Sequence, residues 1–393
     1  MRLTFRGVHL VDATKELPGS SITIDGSHIQ VVGGLPDNAG RIIDANDMFV
    51  VPGFIDVHTH GGGGFSLHTT RDEEIRSYAR WAPQTGVTSF LIGVVGVPGA
   101  LPEEQLVAAV EACEIKGEGA ETLGIHLEGP YINVKRRGAH LPEWLRHPNE
   151  AETERVLALT NGHLRLITLA PELPGASQMI CRLLDAGVTV SLGHTDATYE
   201  QAMEAIRLGV THATHCFNAM PPLLHRAPGP IAAVAECAQV RGELIADGVH
   251  VKPPAMYALV RMLGPQRTVV ITDALAAAGL PDDATFEFAG QLAQVICGAA
   301  RLSDGRLTGS VLTMDQALRN VLQWTPVTLQ QAVGMLTLNP AQAIKVDGCK
   351  GLLQPGYDAD LLILDSSLRL QATICCGTVA YATEQWRERL AAE

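Results

Sequence analysis

A repeat does most to narrow the fold of this chain. Eight short β-like runs, at 53–58, 87–93, 122–127, 163–169, 188–193, 211–216, 242–247 and 267–272, alternate with stretches of helical periodicity. The clearest of these stretches are Glu103 to Glu114, Glu150 to Leu159, Tyr199 to Leu208 and Pro254 to Leu263. In them apolar residues recur every three to four positions. Strands that alternate with helices imply a parallel sheet, because the crossover returns the chain to the same end. Eight such units over roughly 290 residues suit an α/β fold, the TIM (β/α)8 barrel. A doubly wound sheet alternates too, but it favours a Gly-x-Gly-x-x-Gly loop after its first strand. Here the first run is followed by histidines and then by four successive glycines, Gly61 to Gly64. They read either as a loop that lets backbone approach a ligand or lid, or as plain flexibility.

The two ends of the chain read as short strands and turns. Val8-His9-Leu10-Val11, Ser21-Ile22-Thr23-Ile24 and Ile29-Gln30-Val31-Val32 are β-rich, with an Asp25-Gly26 turn between the last two. The tail offers Leu361-Leu362-Ile363-Leu364 and Thr378-Val379-Ala380-Tyr381 after a Gly356-Tyr357-Asp358-Ala359-Asp360 turn. Neither end alone could bury a core. Together they are expected to form a small β-sandwich domain built from both termini, residues 1–51 plus 346–393, beside a barrel of 52–345. Thr328 to Leu336, then Thr337-Leu338-Asn339-Pro340-Ala341, reads as two helices around a capping turn.

Composition excludes some partners. The formal charge of −13 disfavours nucleic acid, which rewards basic stripes. It leaves room for an anionic substrate, since a local Arg and a few backbone amides can overrule the global field. No apolar run approaches the roughly 20 residues of a membrane span, and the start, Met1 to Arg6, lacks a signal-peptide core. The expectation is a cytosolic protein with no membrane partner. Eight scattered cysteines without a Cys-x-x-Cys read as reduced thiols, mostly buried.

In a TIM barrel the chemistry sits at the C-terminal ends of the strands. The polar residues there are His58 and His60 (first run), Glu128 (third), His194 (fifth), His215 (sixth), His250 (seventh) and Asp273 (eighth). His58 and His60 point to one side if their run is a strand, because side chains alternate with a period of two. Imidazole and carboxylate ligands suit Zn²⁺, Fe²⁺ or a similar divalent ion, and the absence of thiolate argues against a structural zinc finger. A hydrolase of this kind needs a metal to lower the pKa of water. It also needs a general base to take the water's proton and pass it to the leaving group. Asp273, in Ile271-Thr272-Asp273-Ala274, suits the base; the other reading is a helix N-cap.

Pro52-Gly53-Phe54-Ile55-Asp56-Val57-His58-Thr59-His60, Thr272-Asp273-Ala274 and Gly356-Tyr357-Asp358-Ala359-Asp360-Leu361 resemble the amidohydrolase superfamily. Within it, the chain is similar to the N-acetylglucosamine-6-phosphate deacetylase family. That narrower likeness rests on His126-Leu127-Glu128-Gly129-Pro130-Tyr131, Gly138-Ala139-His140, Gly193-His194-Thr195-Asp196, Thr214-His215-Cys216-Phe217-Asn218-Ala219-Met220, Asp247-Gly248-Val249-His250 and Leu307-Thr308-Gly309-Ser310. The resemblance implies that Glu128, His194 and His215 hold the main catalytic metal. It implies a second metal at His58 and His60, with Glu128 as bridge, so one ion or two. His140 would donate to the acetyl carbonyl oxygen. Asp273 would activate water and then protonate the amine. Ala139, His140, Asn218, Ala219, Arg226, His250, Leu307, Thr308 and Gly309 would line a phosphorylated N-acetyl amino sugar. The enzyme would be a homodimer, with phosphate contacts that can cross the interface.

The departures from the family pattern lie near the sugar. His225-Arg226-Ala227-Pro228-Gly229 lacks a common Glu, Leu307-Thr308-Gly309 replaces Leu-Ala-Gly, and Ala274 to Gly279 lacks a Thr. Deacetylation is therefore more secure than the sugar, and N-acetylgalactosamine 6-phosphate is a rival substrate. A different amidohydrolase, acting on a cyclic amide or an N-acyl amino acid, is the other reading. Many of those use a carboxylated lysine at the fourth strand end, where this chain has Thr168-Leu169-Ala170-Pro171-Glu172.

Overall fold

A computed structural model of the chain describes residues 2–34, 40–115, 117 and 119–391. Parts of the expected small domain, residues 1, 35–39, 392 and 393, lie outside the described residues. All eight runs form strands of one sheet: Phe54–Asp56, Val87–Val95, Glu121–Glu128, Leu164–Leu169, Thr189–Leu192, His212–Ala213, Arg241–Ile245 and Thr268–Ile271. Each pairs in parallel with the next. The sheet closes through side chains and backbone bonds: Thr272 Oγ1 donates to Asp56 Oδ2 at 2.6 Å, the Asp273 N–H donates to the His58 carbonyl at 2.8 Å, and the His60 N–H donates to the Ala274 carbonyl at 2.7 Å. The closure thus runs through residues of the candidate site.

A helix follows every barrel strand: Asp72–Trp81, Glu103–Glu114, Glu150–Thr160, Ala176–Asp185, Tyr199–Leu208, Gly229–Glu236, Pro253–Leu263 and Met314–Trp324. Local chemistry sets their starts. Thr198 and Gln201 form a reciprocal capping box, and Asn149 accepts from the Glu152 N–H. The second barrel strand is buried along its whole length, as expected where helices cover one face and the barrel interior the other.

Strands from both ends of the chain join in a separate eight-stranded sheet, in which Phe49–Pro52 pairs antiparallel with Leu361–Leu364. This sheet surrounds its own core, which includes Leu3, Phe5, Ile22, Ile24, Ile374 and Trp386. Its first strand is longer than the β-rich run at 8–11, because Leu3 and Phe5 already point inward.

Three features differ from the sequence reading. An antiparallel sheet, Thr285–Phe288, Gln291–Ile296 and Ala299–Leu302, is inserted after the eighth barrel strand. The run Gly61 to Gly64 is a tight hairpin rather than a ligand loop or a flexible one: Gly61–Gly62 pairs with Phe65–Ser66. Gly62 and Gly63 lie flat against Trp81, where a Cβ would come within 2.2 and 2.5 Å of the indole ring. Of the cysteines only Cys216 and Cys375 are buried, while Cys181, Cys297 and Cys349 are exposed. Among the described residues, no helix is long and apolar enough to cross a membrane.

Candidate active site

Strand ends supply the site. Glu128 is the last residue of the third strand, and His58, His194, His215 and Asp273 each stand two residues beyond theirs. The chain bends sharply there: His194, His215 and Asp273 have φ of 48°, 26° and 49°. Non-glycine residues adopt these values at a cost, and such costs concentrate at functional sites.

Glu128 is the hub. Its Oε1 lies 3.1 Å from His194 Nε2, 3.3 Å from His215 Nε2 and 3.4 Å from His58 Nε2. Its Oε2 lies 3.2 Å from His60 Nε2 and 3.5 Å from His140 Nε2. Asp273 Oδ1 is 3.5 Å from His58 Nε2 and 3.4 Å from His60 Nε2. Donor atoms bound about 2.1 Å from a tetrahedral ion lie roughly 3.4 Å from one another, the spacing seen here. The hydrogen-bond pattern agrees. His194 Nδ1 donates to the Arg136 carbonyl at 2.8 Å, and His58 Nδ1 donates to Glu243 Oε2 at 2.8 Å. Each ring therefore turns a bare Nε2 toward the carboxylates, the arrangement that prepares an imidazole for a metal. His58 Nε2 is buried and without a hydrogen-bond partner. The residues fit a divalent ion at Glu128, His194 and His215, and a second at His58, His60 and Asp273.

The electrostatics call for positive charge at these nitrogens. Burial works against a charged His60, but the bonds to Asp273 and Glu128 outweigh it and raise its pKa to about 9. His58 is likewise opposed by burial, yet Glu243, Glu128 and Asp273 hold it well above the usual imidazole range. Burial opposes ionisation of Glu128 and Asp273 as well, and the surrounding histidines still keep both carboxyls below their ordinary values. A proton or a divalent cation can satisfy this cluster. For His140 burial wins over the pull of Glu128, so its pKa falls and the neutral ring is favoured.

A cavity of about 200 Å³ opens on these groups. Its lining includes His60, Glu128, His194, His215 and Asp273, and also Ala139, His140, Asn218, Ala219, His250, Leu307, Thr308 and Gly309. His58 lies behind them, fully buried. Gly309 has a φ of 51°, and a Cβ there would come within 2.8 Å of the Asp273 carbonyl. His250 Nδ1 donates to Asp247 Oδ2 at 2.6 Å, which orients its ring at the rim. Arg226 is not brought to this cavity. It stands exposed on the loop after the sixth strand, beside the exposed Leu223 and Leu224.

Residues 49–385 match the amidohydrolase family. The chain belongs to that family. Among the relatives of this amidohydrolase is the N-acetylglucosamine-6-phosphate deacetylase of Lysinibacillus sphaericus, 34% identical over 98% of this chain and 99% of the relative. The N-acetylgalactosamine-6-phosphate deacetylase of Escherichia coli O157:H7 is 38% identical over 84% of this chain and 87% of its own. Similar solved structures include a variant of N-acetyl-D-glucosamine-6-phosphate deacetylase from Mycobacterium smegmatis in complex with N-acetyl-D-glucosamine-6-phosphate. It has 34% identity and a TM-score of 0.90, and the match covers 97% of this chain and 99% of that one.

Several groups of the amidohydrolase site escaped the sequence reading. Glu243, a lone acid in the buried seventh strand, accepts from His58, from His212 Nε2 at 3.0 Å and from the His215 N–H at 2.9 Å. Its signal was a charge inside an apolar run, which rarely survives burial unpaired. Phe288, from the inserted sheet, lines the cavity with its ring 5.6 Å from that of His60. Gln291 Nε2 donates to the Ala139 carbonyl at 3.0 Å, and Arg306 Nη1 to that of Gly138 at 3.1 Å, so the same insertion pins the His140 loop. At the fourth strand end Glu172 accepts from Asn133 Nδ2, Thr195 Oγ1 and the Asp196 N–H, a brace for neighbouring loops. A remote acidic cluster, Glu121, Asp358 and Asp360, already encloses the Lys350 ammonium at 2.7–2.9 Å.

Proposed function

We propose that this amidohydrolase removes the acetyl group from an N-acetyl amino-sugar 6-phosphate, releasing acetate and the free amine, with N-acetylglucosamine 6-phosphate as the leading substrate. The observation that carries the reading is the convergence of Glu128, His194, His215, His140 and Asp273 on one cavity. Relatives named for N-acetylglucosamine-6-phosphate and N-acetylgalactosamine-6-phosphate deacetylation both align over most of the chain, so the C4 epimer belongs in any test.

Glu128, His194 and His215 would hold one ion and His58 and His60 a second, zinc or iron by the chemistry of the donors. Bound there, a divalent ion supplies Lewis-acid polarisation and makes water acidic enough to attack. The chain's own groups handle the protons. Asp273, kept ionised by His58 and His60, takes a proton from the attacking water and gives it to the amine nitrogen as the C–N bond breaks. His140 turns Nε2 toward the cavity, where a proton on that nitrogen can be donated to the developing oxyanion. His250, Asn218 and Ala219, with the 307–309 segment, hold the sugar phosphate. Arg226 would serve the phosphate of a neighbouring protomer in a homodimer; its exposure away from its own cavity, next to apolar Leu223 and Leu224, supports this. In the same reading, residues 1–51 with 346–393 form a small domain bracing the barrel of 52–345, supported by the separate core of the terminal strands.

Turnover on a panel of N-acetyl sugar phosphates, cyclic amides and N-acyl amino acids, with and without a strong chelator, tests the reading. Chelator-sensitive release of acetate from the 6-phosphates is expected. Activity untouched by the chelator, or confined to cyclic amides or N-acyl amino acids, would refute it.

A further inference from the structure

Glu243 is fully buried in the middle of the seventh barrel strand, and each of its carboxylate oxygens is engaged. Oε2 accepts two hydrogen bonds, from the His58 Nδ1–H at 2.8 Å and from the His215 backbone N–H at 2.9 Å. Oε1 accepts from His212 Nε2 at 3.0 Å. One oxygen atom therefore ties a ring of the His58, His60 and Asp273 group to a ligand of the Glu128, His194 and His215 group. The first bond fixes the tautomer of His58 and leaves Nε2 bare, facing Glu128 at 3.4 Å and Asp273 at 3.5 Å. The second holds the peptide of His215 where its φ of 26° needs support.

We infer that Glu243 is a positioning residue shared by both ligand groups, so that a single buried carboxylate sets the ion affinity of the two together. The inference rests on ions binding at these groups, as proposed above. A purely structural Glu243 would only fill the space between His212 and His58. The two roles separate by acceptor geometry. In Glu243→Gln, the amide oxygen can keep both Oε2 bonds if the amide nitrogen faces His212, whose Nδ1 has no partner and can take over the ring proton. In Glu243→Asp the charge stays, but the side chain is one methylene shorter and its oxygen is withdrawn from one or both donors. In Glu243→Leu the acceptor is gone.

The test measures Zn²⁺ bound per chain and Zn²⁺ affinity by chelator competition, in the full chain, with thermal melts in chelator to report folding. Loss of a partner behind a metal-bound imidazole weakens binding by about 10- to 100-fold. That loss is expected for Glu243→Asp and Glu243→Leu, with Glu243→Gln within a few-fold of the parent. Combining Glu243→Asp with His58→Asn is expected to cost less than the product of the separate losses, since one acts through the other. Parent-like affinity in Glu243→Asp, or losses that simply multiply, would overturn the inference. If Glu243→Leu fails to fold, Glu243→Asp and the cycle still decide. A parent chain that binds no Zn²⁺ overturns it as well. Because no substrate is used, a chain that passes this test but hydrolyses no sugar phosphate would sink the proposed activity alone.

Discussion

Replacing Asp273 by Asn is the sharpest perturbation of the proposed chemistry. Asn is the right choice because the position is structural as well as chemical. The Asp273 N–H bonds the His58 carbonyl at 2.8 Å across the barrel seam, and its own carbonyl accepts from the Ser310 N–H at 2.7 Å. Asn keeps both bonds and tolerates the left-handed φ of 49° better than most residues. What it loses is a basic oxygen 3.4–3.5 Å from His60 and His58. A positioned proton-transfer group contributes about 10²–10⁴ in rate. Asp273 acts twice, first as base and then as acid, which puts the expected loss near the upper end. A fall in kcat of about 10⁴-fold corresponds to roughly 5 kcal/mol of transition-state stabilisation. KM should change little, and bound metal should persist at Glu128, His194 and His215. The assay is steady-state acetate release, with metal content and melting temperature measured on the same preparation. A folded, metal-loaded Asp273→Asn enzyme within tenfold of the parent kcat would refute the role of Asp273 in moving the proton.

The remaining predictions concern charge and phosphate. In chelator-treated protein, His60 has its pKa raised from 6.5 to about 9 by Asp273 and Glu128 against the opposing effect of burial. The stabilisation from its proton is complete below pH 6.5 and lost as pH rises through about 9, a difference on the order of 3 kcal/mol. Thermal melts from about pH 6 to about pH 10 should show falling stability; a flat profile in chelator would contradict the assignment. The carboxyls of Glu128 and Asp273 act in the opposite sense. Their depressed pKa values stabilise the fold above the usual carboxylate range, and that stability is lost as pH falls through the lowered values. Arg226→Ala should reduce kcat/KM for phosphorylated sugars by about tenfold or more and leave the unphosphorylated sugar nearly unchanged; equal losses on both would remove Arg226 from the phosphate site.

Much of the site was legible because a barrel gathers strand ends. The residues His58, His60, Glu128, His194, His215 and Asp273 are far apart in sequence, yet each marks the end of a β-like run. Once eight runs are accepted, their ends must share a rim. Glu243 was overlooked because it sits mid-strand, where its role comes from neighbours on the first and sixth strands rather than from its own segment. The inserted sheet was overlooked because its turns, Ala289-Gly290 and Cys297-Gly298, put a residue other than Asn or Asp at positive φ. Arg226 marks a different limit. A motif places it in sequence, but the folded chain carries it to an exposed loop, so any role at a phosphate depends on a neighbouring protomer.

Metal-edge anomalous diffraction from crystals of active, metal-loaded enzyme soaked with the amine product tests the central claim most directly. A peak bonded to Glu128, His194 and His215 is expected, with the product amine facing Asp273. A peak elsewhere, or full activity in crystals with no ion shared by these three residues, would contradict it.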